Sequence, residues 1–325
     1  MARADLIAKL MKAAIESDQN NIVRVAEAII ADEREKHHNV LADRLAAIIR
    51  KNGADINRTG KMLENGISAL VYEIVPEKKL SDLLLAEEVV TLIKEVVEEY
   101  QRKELLNSYG LAPRNRLMFI GPPGNGKTSL AEALAYELML PLVVVRYEGL
   151  IGSFLGQTAG RLNKIFDYAR QRNCVLFFDE FDTIGKERGD VHETGEIKRV
   201  VSSLLMQIDV VPSHTVVVVA SNHAHLLDSA AWRRFQVRVE LRSPSPANIR
   251  RYIEGYQKKT NLNFGVPAEK ISKLLGACSY AELEEFCRDV LRHSILDKQR
   301  ENAKVITNKK IKQWVKRSTL HKHGK

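Results

Sequence analysis

Cysteine is scarce in this chain. Only Cys174, Cys278 and Cys287 occur among its 325 residues. Three thiols so scattered suit neither a disulfide framework nor a zinc site. Free thiols fit a cytoplasmic protein. Long apolar runs are missing too. No stretch reaches the roughly 18 consecutive apolar residues that a membrane-crossing helix needs. The first residues, MARADLIAKLMKAAIESDQNN, lack the apolar centre and small-residue cleavage site of a secretory signal. Most of the chain also lacks a charge excess. The formal net charge is +9, and residues 288–325 carry it with twelve Lys and Arg against three Asp and Glu. Residues 1–287 therefore balance. A basic end of this kind can bind nucleic acid or an acidic surface. Read as a bare pattern, it is a solvated tail.

What is present is a chain rich enough for a sizeable core, with 45% hydrophobic residues. Its length predicts two or three domains. The organising stretch is Gly121-Pro122-Pro123-Gly124-Asn125-Gly126-Lys127-Thr128, followed by Ser129. The apolar run Leu117-Met118-Phe119-Ile120 leads in, and a helical run from Ser129 leads out. Strand, glycine loop and helix form the context that a phosphate-binding loop requires. The glycines let successive N–H groups turn toward phosphate oxygens. The helix N-terminus adds partial positive charge there. Lys127 can reach the β- and γ-phosphates, and the Thr128 hydroxyl can ligate Mg²⁺. ATP with Mg²⁺ is the expected cofactor pair.

Residues 3–52 show three- and four-residue apolar spacing, which predicts two or three short helices. Residues 53–80 carry Gly53, Gly60, Gly66 and Pro76 and read as a linker, with a short strand or extended segment within 68–75. A long helix is predicted from about Ala86 to Ser108. Beyond the glycine loop, apolar β-branched runs alternate with helical patterns as far as Leu241. That alternation predicts an α/β fold with a parallel sheet covered by helices. Residues 244–317 show only helical patterns and predict an all-α lid. The expected division is 1–75 helical region and linker, 76–243 nucleotide-binding αβα domain, and 244–325 lid with basic tail.

Open parallel sheets place ligands at the carboxyl ends of their strands. Two further polar groups are expected there. The strand Cys174–Phe178 ends in Asp179-Glu180, and the strand Thr215–Ala220 ends in Ser221-Asn222. Asp179 suits Mg²⁺, directly or through water. Glu180 suits activation of an attacking water, and Asn222 its positioning. Arg233 and Arg234 precede the last strand, at the domain edge. Arginines stabilise charge on a transferring phosphoryl group and can come from a neighbouring subunit. That placement predicts a ring of identical subunits; a surface pair with local ion partners is the alternative.

Taken together, these residues resemble the ATPase domain of the AAA family, within the AAA+ superfamily, over about residues 80–317. GPPGNGKT resembles its Walker A motif and VLFFDEFD its Walker B. Asn222 matches the sensor-one position, and LLDSAAWRRF resembles the region that carries the arginine fingers. Gly276–Leu283 resembles the start of the family's sensor-two segment. The short loop before the arginines is similar to meiotic-clade members such as the vacuolar-sorting ATPase. The whole chain also resembles stand-alone bacterial AAA ATPases found beside subtilisin-like peptidases, which implies a possible peptidase partner. Two departures stand out: Asn125 replaces the usual Thr, and Gln236 replaces a common acid.

The resemblance implies a homo-hexameric ATPase that remodels or unfolds protein substrates. Phe154, Leu155 and Gly156 match the family's pore-loop pattern of aromatic, hydrophobic, glycine. Residues 1–75 would then meet a partner. Two other readings stay open: an ATP-dependent switch for a partner enzyme, and a nucleic-acid loader using the basic end. A loader should carry basic residues in the pore loop, whereas the nearest are Arg146 and Arg161. Nucleic acid is therefore the less favoured partner.

Overall fold

A computed structural model describes residues 67–146, 156–182, 193–223, 229–296 and 303–322, with Leu6, Val25, residues 28–34, Lys36 and residues 38–43. Six strands form one sheet in the order β1-β3-β4-β5-β2-β6. They are β1 (Val71–Ile74), β2 (Arg116–Ile120), β3 (Leu142–Val145), β4 (Val175–Phe178), β5 (Val216–Ser221) and β6 (Val237–Glu240). All neighbours are parallel except β1 and β3, which run antiparallel. The helices over the sheet are α1 (Glu87–Gln101), α2 (Lys103–Ser108), α3 (Lys127–Leu138), α4 (Gly156–Arg170), α5 (Glu193–Asp209) and α6 (Ser229–Arg234).

Side chains alternate across the sheet, and both faces are apolar. Leu176, Phe178, Val217 and Val219 face one core, which α4 and α5 close with Leu162, Ile165, Phe166, Leu204 and Ile208. Val175, Phe177, Val216 and Val218 face the other, which α1 and α3 close with Ile93, Val96, Leu130 and Leu134. Burial on both sides explains the unbroken Val, Leu and Phe runs of the central strands.

The edge strand β1 lies close to the expected domain boundary. It lies before the expected boundary at 75/76, within the segment read as a linker, yet it is part of the sheet. Leu70 and Val71 are buried with Val145. The Tyr168 hydroxyl donates to Glu73, and the Arg146 guanidinium lies over the Tyr72 ring, 5.0 Å from its centroid. The predicted helix from Ala86 to Ser108 is two helices, broken at Arg102, whose φ of −103° and ψ of 25° leave the helical region.

The lid is built from α7 (Pro246–Thr260), α8 (Ala268–Leu275), α9 (Tyr280–Leu296) and α10 (Ala303–Lys322). Ser245 caps α7 by accepting from Asn248 N, and Pro246 occupies the first helical position. Much of the basic C-terminal charge lies on residues 303–322. Those residues form α10, docked through the buried Ile306, Thr307 and Ile311. Its Trp314 meets Phe286 edge-on, with Nε1 donating to the Leu275 carbonyl. The bare charge pattern missed the apolar stripe that seats this helix and leaves lysines such as Lys309 and Lys312 outside. Among the described residues, no helix is long and apolar enough to cross a membrane.

Candidate functional site

The site is assembled at the carboxyl ends of β2, β4 and β5, which lie side by side in the sheet. The loop after β2 needs its glycines for stated reasons. Gly121 has φ of +151°, and a Cβ there would fall 2.1 Å from the Leu241 carbonyl oxygen, which follows β6. Gly124 and Gly126 have φ of +75° and +87°, where other residues are strained. Gly126 immediately precedes α3, so Lys127 opens that helix.

Lys127 is buried, and its Nζ donates to the carbonyls of Gly121 at 2.7 Å and Pro122 at 3.0 Å. Burial pushes its pKa below the ordinary lysine value, and Asp179, Asp182 and Glu180 pull it partly back. The ammonium is thus held inside the loop, at the N-terminus of α3, where anions are favoured.

Thr128 and Asp179 come together. The Thr128 hydroxyl donates to Asp179 Oδ2 at 2.8 Å, and Glu180 N donates to Asp179 Oδ1 at 2.9 Å. Two hard oxygen donors beside a phosphate-binding loop fit Mg²⁺, which takes few protein ligands and completes its shell with phosphate and water. Glu180 is exposed and has φ of +45°, a conformation uncommon outside glycine.

Asn222 follows β5 next to this cluster, and its N–H donates to Asp182 Oδ1 at 3.0 Å. Asp182 also accepts from the Ser221 hydroxyl at 3.3 Å. It is 4% exposed, so a carboxylate is buried between the ends of β4 and β5. Reading the sequence for strand-end acids found Asp179 and Glu180 and passed over Asp182. The available signal was its place in VLFFDEFD, three residues beyond Asp179 and one beyond an apolar Phe.

Arg233 and Arg234 lie elsewhere. They end α6 just before β6 begins, at the end of the sheet away from the glycine loop. Arg234 Nε donates to Asp209 Oδ2 at 2.7 Å, and Asp209 also pairs with Arg116 at the start of β2. Arg233 is exposed, and no ion pair of it appears among the described residues. The two arginines, read as equivalent in the sequence, therefore differ. Gln236 has work of its own: its Oε1 accepts from Asn115 N at 3.0 Å and Arg116 N at 3.2 Å, tying the connection between α6 and β6 to the start of β2. Phe154 and Leu155 lie outside the described residues, and Gly156 opens α4.

Comparison with known proteins bears on the family and the fold. A family model described as "ATPase family associated with various cellular activities (AAA)" matches residues 117–243. An AAA family ATPase of Sinorhizobium fredii, y4kL, is 35% identical over 307 residues, which cover 93% of this chain and 92% of that protein. The chain belongs to the AAA ATPase family. As an AAA ATPase it hydrolyses ATP. More distant relatives include the 26S proteasome regulatory subunit 8 homolog of Encephalitozoon cuniculi, 27% identical over 77% of this chain and 66% of that one. The Cell division cycle protein 48 homolog of Archaeoglobus fulgidus is 28% identical over 69% of this chain and 31% of its own length. Among solved structures, the FIGL-1 AAA domain in complex with ADP superposes with a TM-score of 0.56 at 22% identity, covering 74% of this chain and 83% of that one. That last likeness speaks to the fold of this AAA ATPase.

Proposed function

We propose that this AAA ATPase is a homo-hexameric ring motor that remodels or unfolds a protein substrate drawn through its central pore. The observation that carries the reading is the position of the two arginines. The anchor of Arg234, Asp209, also holds Arg116 at the first residue of β2. Five strand residues then separate that point from the glycine loop, roughly 17 Å at the usual rise. Arg233 and Arg234 are too far from their own loop to serve it, and a neighbouring subunit's loop is the natural recipient. A head-to-tail contact that closes yields a ring.

In this reading Lys127 neutralises the β- and γ-phosphates, cradled by the backbone of Gly121–Ser129. Thr128 and Asp179 hold Mg²⁺, which would supply charge neutralisation at the phosphates. Glu180 accepts a proton from the attacking water, and Asn222, steadied by Asp182, positions that water. Phe154, Leu155 and Gly156 grip the substrate, and residues 1–75 meet a partner. A cytoplasmic location belongs to the same proposal. The names of the proteasome relatives favour a protein substrate over nucleic acid.

The test mixes two inactive subunits, Arg233→Ala and Lys127→Ala. Each fails alone, for want of a finger or of a nucleotide. A mixed ring contains interfaces where an intact loop faces an intact arginine, so part of the ATPase activity should return. Mixed assemblies confirmed by mass that stay inactive at every ratio would exclude action across an interface.

A further inference from the structure

The lid helix α9 is capped by the P-loop of the nucleotide-binding domain. The first N–H groups of any helix lack intrahelical acceptors. Within the lid, Ser279 and Glu282 form a capping box: Ser279 Oγ accepts from Glu282 N at 3.3 Å, and Glu282 Oε2 accepts from Ser279 N at 2.7 Å. The two N–H groups between them are satisfied from outside the lid. Tyr280 N donates to Asn125 Oδ1 at 3.3 Å, and Ala281 N donates to the Gly124 carbonyl at 2.9 Å. The approach is close. A Cβ on Gly124 would lie 2.9 Å from Ser279 Oγ and 3.1 Å from Ala281 Cβ.

Asn125 turns its other end to the hinge. Its Nδ2 donates to Ser243 Oγ at 3.1 Å, in the connection between β6 and α7. The side chain is 3% exposed. Its orientation follows from chemistry, because the opposite amide rotamer would set two donors against each other at Tyr280 N. One planar group thus spans P-loop, hinge and lid. A threonine here would have to meet both partners at a single atom.

We propose that Asn125 is a positioning residue for ATP hydrolysis, clasping hinge and lid to the P-loop so that lid position and loop geometry change together. Opening the lid breaks the bonds from Tyr280 N to Asn125 and from Ala281 N to Gly124, and uncovers the first turn of α9. A shift of the loop pulls on the cap of α9. In the sequence Asn125 is only a departure from the usual Thr; the geometry assigns it a mechanical role.

The experiment uses the full chain and four variants: Asn125→Ala, Ser243→Ala, the double variant and Asn125→Thr. Steady-state kinetics give KM and kcat for ATP, a fluorescent ATP analogue gives the dissociation constant, and hydrogen exchange without nucleotide follows the amides of Tyr280 and Ala281. Loss of the clasp should weaken analogue binding and raise KM about threefold to tenfold, as for one lost hydrogen bond, with a smaller fall in kcat. The two amides should exchange faster in Asn125→Ala. Ser243→Ala should weaken binding in the same direction, and adding it to Asn125→Ala should cost little more, since both remove the same bond. Asn125→Thr should recover part of the loss. Additive effects, unchanged exchange, or a neutral Ser243→Ala would overturn the proposal and leave Asn125 as a direct ligand contact. A lower melting temperature with parental KM would overturn it in favour of packing alone. Should Asn125→Ala fail to fold, Asn125→Thr and Ser243→Ala decide by the same readouts.

Discussion

Lys127, which opens α3, and Glu180, just beyond β4, make opposite predictions. Lys127→Ala removes the ammonium that faces the phosphates, so nucleotide binding should be lost. Glu180→Gln keeps the shape and removes only the proton acceptor, so binding should persist while turnover falls by about 10²–10⁴. A fluorescent-nucleotide titration paired with a phosphate-release assay separates the two. Near-parental hydrolysis by Glu180→Gln would refute the role given to that carboxylate. Lys127 also predicts a pH dependence. Burial lowers its pKa in the folded protein, so it loses its proton at a lower pH than an ordinary lysine. Bound phosphates favour the charged form. ATP affinity should therefore be fullest below the lowered pKa and fall as pH rises through it, with proton uptake on binding in that range. Calorimetry across neutral to alkaline pH in buffers of different ionisation enthalpy checks the sign. Proton release in place of uptake would contradict it.

At the scale of elements, the edge strand β1 carries the sharpest test. A linker residue lying on the surface tolerates truncation to within about 0.5 kcal/mol. Leu70 instead is 5% exposed and packs in the core under α4 and α5. Leu70→Ala should cost about 2–5 kcal/mol in chemical denaturation. A cost inside the surface range would mean that β1 contributes little to this core. Antiparallel pairing also brings Leu70 beside Arg146, whose N–H donates to the Leu70 carbonyl at 2.8 Å. The chain before β1 thus approaches the carboxyl end of β3, the end from which the chain continues toward Phe154.

For the whole molecule, the question is what the proposed ring does with the energy of ATP. Phe154 tests the motor reading directly. An aromatic that lines a pore grips a passing chain by its apolar face without reading sequence. Phe154→Ala should then leave the melting temperature, assembly and basal ATPase near the parent, and abolish substrate-stimulated turnover and processing. A core phenylalanine would show itself differently, with a loss of about 3–5 kcal/mol. Either a marked drop in melting temperature or intact processing would remove Phe154 from the motor.

Some of this was legible in the amino-acid sequence alone. The P-loop, the acids Asp179 and Glu180, and the α/β alternation are local: each depends on residues adjacent in the chain, and backbone chemistry dictates their form. The same locality let strand ends be read as site positions. Other features depend on partners far away in sequence. The strand β1 acquires its place only by pairing with β3, about seventy residues on. Asp182 matters because Asn222, forty residues later, donates to it. Arg233 and Arg234 look alike until Asp209 takes one of them. The basic charges of 303–322 hid an apolar stripe that only the lid core reveals. Asn125 reads only as a departure from the usual Thr until Ser243 and Tyr280, separated by two lid helices, converge on its two ends. Local hydrogen bonding and side-chain periodicity are written along the chain; which distant donor meets which buried acceptor is decided only when the fold closes.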